Sequence, residues 1–380
     1  MDQALVAALA GLLRGFSSLS LGQVLMIAVG CALLYLGIRR GFEPLLLVPI
    51  GFGAILVNIP GSGLMEKGGV LRVIYDAGIT TELFPILIFL GIGAMTDFGP
   101  LFGDPRLLLL GAAGQLGIFL TLILALLLGF PLRDSVAVGV IGAMDGPTAI
   151  YVSAKYAPHL LGAVSVAAYS YMSLVPLVQP PIMRLLTTAE ERRRIMPLTK
   201  SVEVSRSARV LFPIIVTILG GLLAPQGTPL LGTLMLGNLL RESGVVERLK
   251  AASQNEIANV VTLLLGVSIG ATMQAELFLR PQTLLVFGLG FIAIVLDTVA
   301  GLLFGKLYGL LSGGRVNPLI GAAGISAYPM AARVVQQVGQ RENRKSYLLM
   351  PAMAANTGGQ LGSIMAAAVM LAVLAGLGVV

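Results

Sequence analysis

GAMDGPTAIYVS, residues 142–153, sets one carboxylate, Asp145, among Gly142, Gly146 and Pro147 in a chain otherwise written for lipid. Glycine loosens a helical backbone and proline removes an amide donor, so the stretch predicts a helix broken at Asp145. A break frees carbonyl oxygens, which a membrane tolerates only inside protein or beside a water-filled path. Free carbonyls plus a carboxylate at membrane depth are what transporters use to hold an alkali cation. An unpaired acid there costs on the order of several kcal/mol, so Asp145 reads as functional before it reads as structural.

The rest of the composition supports the membrane reading. Of 380 residues, 56% are hydrophobic and 11% charged, with mean hydropathy +0.92, against roughly 25% charged in soluble domains. Forty-eight glycines and no tryptophan suit close helix packing, with Tyr, Lys and Arg left to anchor the interfaces. The single cysteine, Cys31, excludes an internal disulfide and a cysteine-cluster metal site, and is expected to be a packing residue. The net charge of +7 sits in short loops between apolar runs, so it reports membrane orientation and not nucleic acid. The opening MDQALVAALAGLLRGF lacks a basic leader and reads as an amphipathic or short first helix, not a signal peptide.

Apolar runs fall at 20–38, 42–59, 84–102, 107–129, 160–181, 208–224, 228–240, 256–278, 283–308 and 346–376. A bilayer takes roughly 20 helical residues, so the expectation is an all-α polytopic membrane protein with about ten transmembrane helices. Two further runs, 135–150 and 317–333, are interrupted by Gly142, Gly146 and Pro147 in the first and Gly321, Gly324 and Pro329 in the second. They read as re-entrant or broken helices. Arg39 and Arg40, the run Glu190–Arg194 with Lys200, Arg206 and Arg209, and Arg341, Arg344 and Lys345 are all expected on the cytoplasmic side. Parity then brings the first interrupted run in from outside and the second from inside, with the C-terminus outside. Lys67 and Arg72 fall in a loop that this topology places outside.

The hydrophilic segment 182–206 divides the chain into halves that resemble one another. LGIGAMTDFGPLFGDPRLLLL (90–110) matches LLGVSIGATMQAELFLRPQTLLV (264–286), and GAMDGPTA (142–149) aligns with GISAYPMA (324–331), Gly142 over Gly324 and Pro147 over Pro329. The same order on opposite membrane faces predicts inverted-topology repeats. The expected division is 1–82 as N-terminal scaffold helices, 83–181 as the first repeat, 182–206 as a cytoplasmic linker, 207–255 as further scaffold helices and 256–380 as the second repeat.

Polar residues near the breaks are Asp145, Thr148 and Tyr171 in the first half, and Asn317, Ser326, Arg333 and Asn356 in the second. One carboxylate with neutral oxygens suits Na+ or Li+ better than Ca2+, which recruits several carboxylates, or zinc, which wants His and Cys. Asn317 and Asn356 read equally as interhelical hydrogen-bonding groups. Arg333 reads in two ways, as a fork for a substrate carboxylate or as a cytoplasmic anchor. Asp297, in FIAIVLDTVAGLLFG, has no break beside it in sequence and is expected to pair with a polar neighbour such as Asn259. His159, the only histidine, reads as a surface loop residue, and Gly301, Gly305 and Gly309 as a helix-packing face. No phosphate-binding glycine loop occurs, so an ion gradient or chemistry at the site must supply the energy.

GAMDGPTAIYVS, with AAYSYMSLVPLVQPPIMRLLTT (167–188), NPLIGAAGISAYPMAARVVQ (317–336) and MPAMAANTGGQLGS (350–363), resembles the β subunit of the sodium-pumping biotin-dependent decarboxylases. That family acts on oxaloacetate, methylmalonyl-CoA, glutaconyl-CoA or malonate. The resemblance implies a subunit that decarboxylates carboxybiotin held on a partner, consumes a proton and exports Na+. It makes Asp145 the Na+-linked aspartate and Tyr171 its companion tyrosine. It carries Asn317, Gly321, Ser326 and Arg333 over to the ion path and carboxybiotin handling, and Asn356 to the last family segment. It also implies an elevator-like scaffold and mobile core, a β-subunit homotrimer, a biotin carboxyl carrier and carboxyltransferase (α) subunit, a single-span γ subunit, and a bacterial or archaeal inner membrane. Without the resemblance, a Na+/H+ antiporter or a Na+-coupled carboxylate symporter fits the same residues. A purely structural scaffold does not explain an acid and two amides at helix breaks.

Overall fold

The computed structural model describes residues 15–196 and 204–378. Most of the expected short first helix and residues 197–203 of the linker lie outside the described residues. In chain order, α1 (Leu21–Arg40) packs antiparallel to α2 (Pro44–Val57), and α3 (Val70–Tyr75), extended by a π turn to Thr80, bends by 61° into α4 (Leu83–Met95). Next, α5 (Leu107–Gly114) continues past Gln115 as α6 (Leu116–Leu127). The first interrupted run becomes α7 (Leu132–Gly139), a 3-10 turn (Val140–Ala143) and α8 (Gly146–Tyr156). Beyond it come α9 (Leu161–Leu186), the short α10 (Ala189–Arg193), α11 (Arg206–Leu223), α12 (Thr228–Ser243), α13 (Ala258–Ala271) and α14 (Pro281–Leu311). The second interrupted run is a 3-10 segment (Pro318–Gly324) leading into α15 (Met330–Glu342), and α16 (Leu349–Gly376) follows.

All ten apolar runs fall on helix, yet the expected ten crossings are not reached by length. Among the described residues, six helices are long and apolar enough to cross a membrane, or seven if the bent α3–α4 pair is one span. Helix α2 has 14 residues, about 21 Å at 1.5 Å per residue, against about 30 Å of hydrocarbon, and α13 is the apolar end of a helix that runs from Glu247 through a π turn (Ser253–Ile257). These two meet backbone to backbone: a Cβ on Gly53 would lie 2.4 Å from the Val267 carbonyl oxygen, and one on Gly270 2.2 Å from that of Ile50.

Both interrupted runs are broken where glycine and proline predict. Met144 adopts φ +52° and Asp145 is extended. Asp145 then caps α8, its Oδ1 accepting the Thr148 amide at 3.4 Å. Such a cap stabilises a helix by about 1 kcal/mol. Gly146 has no room for a side chain, because a Cβ would lie 2.1 Å from the Tyr169 ring.

The two breaks open towards opposite ends of the molecule. At one end Asp134 of α7 meets His159 at 3.1 Å, Lys155 approaches Glu82 at 3.9 Å, and Asn58 donates to the Met273 carbonyl at 2.8 Å. At the other, Arg192 pairs with Glu342 at 3.1 Å, Asn343 donates to the Arg193 carbonyl at 3.0 Å, and Asn317 binds the linker backbone. The linker and the loop after α15, both expected on the cytoplasmic side, thus meet at one end.

Glu191 organises the linker. Its carboxylate accepts the Thr188 amide at 2.7 Å in a capping box and meets Lys306 of α14 at 3.5 Å. Partial burial, the largest single influence, acts to raise its carboxyl, but the Thr188 and Lys306 contacts together outweigh it and hold it below the ordinary value. This stabilisation is full above the unfolded value of about 4.3 and is lost as pH falls through the lower folded value. Glu191→Gln is therefore expected to lower stability by about 1 kcal/mol at neutral pH. Thermal unfolding of the purified protein across an acid series should show that difference vanish once the wild-type carboxylate is protonated.

Candidate ion and carboxylate site

One face of α16 carries Asn356, Gly359, Gln360 and Ser363, spaced so that all four point the same way. Asn356 donates to the Ile325 carbonyl at 2.6 Å, and the Ser326 hydroxyl donates to the Gly359 carbonyl at 2.9 Å. Both contacts hold the second break. Two turns later, about 10 Å along the axis, the Ser363 hydroxyl donates to Asp145 Oδ2 at 3.3 Å. Between them the Thr96 hydroxyl donates to Gln360 at 3.3 Å. A single helix face therefore touches both breaks.

Asp145 is 6% exposed and accepts from the Thr148 hydroxyl at 2.5 Å as well as from Ser363 and the Thr148 amide. Every one of these donors is neutral. No lysine, arginine or histidine balances its charge among the described residues, which leaves that task to a cation or a proton. No group of three or more His, Cys, Asp and Glu that could hold a metal occurs among the described residues. A lone carboxylate with hydroxyls and break carbonyls is a hard-oxygen set of low charge, suited to a monovalent cation.

The second break is brought close by the α5–α6 hinge. Gln115 donates to the Gly324 carbonyl at 2.9 Å and to the Gly111 carbonyl at 3.1 Å. The Gly324 carbonyl is enclosed so tightly that a Cβ on Gly359 would lie 2.2 Å from it. Met144, at the first break, joins Ile325 and Ala327 of the second in one buried cluster. Gly301 and Gly305 pack α14 onto the second break as expected, a Cβ on Gly301 falling 2.2 Å from the Gly321 carbonyl oxygen.

The other predicted site residues lie apart from Asp145. The Tyr171 hydroxyl donates to the Phe287 carbonyl at 2.6 Å, and its ring packs edge-on to Phe291. The tyrosine against Asp145's half-helix is Tyr169, whose buried hydroxyl has no hydrogen-bond partner. Asn317 is used by backbone: it donates to the Arg192 and Arg194 carbonyls at 3.0 and 2.9 Å and accepts the Leu319 amide at 3.0 Å. Arg333 is exposed on the first turn of α15, near Tyr328.

His159 is exposed at the surface, as expected, and meets buried Asp134 there. Two expectations are corrected. Cys31 is exposed and not packed. Asp297 does not pair with Asn259, which is exposed on α13; it lies against Gly117 and Gly142 instead. Ser363, Tyr169 and Gln115 were not singled out from sequence. Ser363 carried a signal, since it stands two helical turns beyond Asn356. The run Tyr169-Ser170-Tyr171 offers no basis for choosing between two tyrosines on different faces.

Comparison with known proteins fits these motifs into a family. The model of the Na+-transporting oxaloacetate decarboxylase beta subunit matches residues 22–374. The methylmalonyl-CoA decarboxylase subunit beta of Veillonella parvula is 54% identical over 360 residues, covering 95% of each chain. The glutaconyl-CoA decarboxylase subunit beta of Acidaminococcus fermentans is 52% identical over 375 residues, covering 98% of this chain and 99% of its own. The oxaloacetate decarboxylase beta chain of Klebsiella pneumoniae is 45% identical over 418 aligned positions, covering 94% of this chain and 96% of its own. With the family model spanning both breaks and the helix face that joins them, the chain belongs to the Na+-transporting oxaloacetate decarboxylase beta-subunit family.

Proposed function

We propose that this multi-pass membrane protein is the subunit that decarboxylates carboxybiotin on a partner carrier, consumes a proton and exports Na+ from the cytoplasm. The observation that carries the reading is the α16 face, which binds the acid of one break and both the Ile325 carbonyl and the Ser326 hydroxyl of the other. A site built from two breaks opening towards opposite ends can face either side as the breaks shift. Family membership favours this over an antiporter or a symporter without a biotin partner.

In this mechanism carboxybiotin arrives at the cytoplasmic end, where Arg333 offers a two-pronged donor for its carboxylate. Asn317 holds the second 3-10 segment to the linker at that same end. Na+ binds at Asp145 with Ser363, Thr148 and break carbonyls, and Ser326 and Asn356 keep the second break's carbonyls in place. The carboxyl N–C bond then breaks, its electron pair stays on the ureido nitrogen, a proton takes the vacated position, and CO2 leaves. Cation and proton compete at Asp145, because either one neutralises a carboxylate that has only neutral partners. Tyr171 joins the ion only if it turns from the Phe287 carbonyl; in the present arrangement Tyr169 is the hydroxyl at hand.

The repeated order of long helix, broken stretch and long helix (α5–α6 to α9, and α14 to α16) supports inverted repeats and an elevator-like motion of a core against a scaffold. The partners in this reading are a biotin carboxyl carrier and carboxyltransferase α subunit, a γ subunit and two further copies of this chain, in a bacterial or archaeal inner membrane. Similar identity to relatives named for different acids supports a reading in which the carboxyltransferase chooses the acid.

Three outcomes test the reading. Because asparagine caps a helix as well as aspartate, Asp145→Asn should preserve thermal stability while abolishing Na+ uptake in proteoliposomes supplied with carrier and transferase; normal coupled uptake would sink the assignment. Arg333→Lys keeps the charge but not the fork, so the carboxylated carrier needed for half-maximal rate should rise roughly tenfold, or about 1.4 kcal/mol, with the Na+ requirement unchanged. Finally, a biotinylated protein captured on avidin should bring this chain down with it from detergent-solubilised membranes; its absence there favours the simple exchanger.

A further inference from the structure

Asp297 is 0% exposed at the middle of α14, and neither of its carboxylate oxygens has a hydrogen-bond partner of normal geometry; the Gly117 backbone amide is directed towards it. Two glycines wall it in. A Cβ on Gly117 would lie 2.0 Å from Oδ1, and one on Gly142 3.1 Å from Oδ2. The walls leave little room for a hydrated cation.

No charge faces it from any element packed on α14. Helices α5 and α6 contain no titratable residue, nor do the 3-10 segments Val140–Ala143 and Pro318–Gly324. On α7, Arg133 and Asp134 sit at the far end, Asp134 with His159. On α9, Tyr169 lies against Gly146, Tyr171 is bound to the Phe287 carbonyl, and Arg184 is exposed. On α14 itself, Lys306 is held by Glu191. An ionised carboxylate here would be buried without compensation, which a protein avoids by neutralising the group.

The position gives that neutrality a consequence. Gly117 lies two residues beyond Gln115, the side chain that grips the Gly324 carbonyl of the second break. Gly142 lies three residues before Asp145 in the first. Asp297 therefore touches the turn before the first break and the helix start beside the residue that grips the second, although it stands in a helix without a break of its own.

We propose that Asp297 is a proton-binding site of the transport cycle. Resting on the pump reading above, the inference is that a proton on Asp297 lets the Gln115 hinge and the turn before Asp145 close onto α14. Losing it to water requires those walls to part, which shifts both breaks. Only an O–H bond forms and breaks, and the proton is exchanged with water.

The test uses the complete complex in proteoliposomes. Asp297→Asn, a neutral isostere, should leave the thermal midpoint unchanged, lower Na+ uptake per CO2 released by roughly tenfold, and flatten the pH profile of uptake. Wild-type coupling and pH profile in this variant would overturn the proposal. A second measurement needs no substitution at Asp297: infrared spectra of the Asp145→Asn complex at neutral pH, labelled minus unlabelled aspartate. A protonated-carboxyl band is expected, and a spectrum lacking one overturns the inference. Failure of the wild type to couple decarboxylation to Na+ uptake refutes the pump reading instead, so the two failures are distinguishable.

Discussion

A backbone carbonyl freed inside a membrane must find a donor, and that requirement shapes the centre of this molecule. Two helix breaks expose such groups, and one helix face, one hinge residue and Gln179 of α9, which donates to the Ala322 carbonyl at 2.8 Å, answer them. Asn356 takes the Ile325 carbonyl, Gln115 takes that of Gly324, and Ser326 returns a hydrogen bond to α16 through Gly359. Ser363 extends the same face to Asp145. The polar groups are few, neutral and committed, so the one carboxylate they surround is left with its charge unbalanced by protein.

Close backbone contact makes this economy workable. Where α16 and α5 meet the second break, glycines stand in for side chains and let amides reach carbonyls directly. The tolerance for substitution is correspondingly small, because a single methyl group at Gly324 would fall 2.2 Å from the Leu110 carbonyl oxygen. Packing and ion chemistry are set by the same atoms.

Much of this was legible beforehand. Glycine and proline act locally, so the breaks at Asp145 and around Gly324–Pro329 could be read from sequence. Span number was less legible, because hydropathy measures how apolar a run is and not whether its helix, like the 14-residue α2, is long enough to cross. Choosing between Tyr169 and Tyr171 depends on helix rotation, which a run apolar on all sides does not encode. Asp297 was misjudged for a related reason: its neighbours Gly117 and Gly142 lie on other elements, and nothing in its own helix announces them.

The short helix α2 has a consequence for the surrounding lipid. A helix about 9 Å shorter than the hydrocarbon it sits in, taking its 14 residues, the 1.5 Å rise and the usual 30 Å thickness, draws the two leaflets towards each other. A thinner membrane concentrates the transmembrane voltage over a shorter path, and each 100 mV acts on a moving elementary charge with about 2.3 kcal/mol. On that flank the bilayer is a mechanical participant, and lipid tail length becomes a variable to which the protein's motions are sensitive.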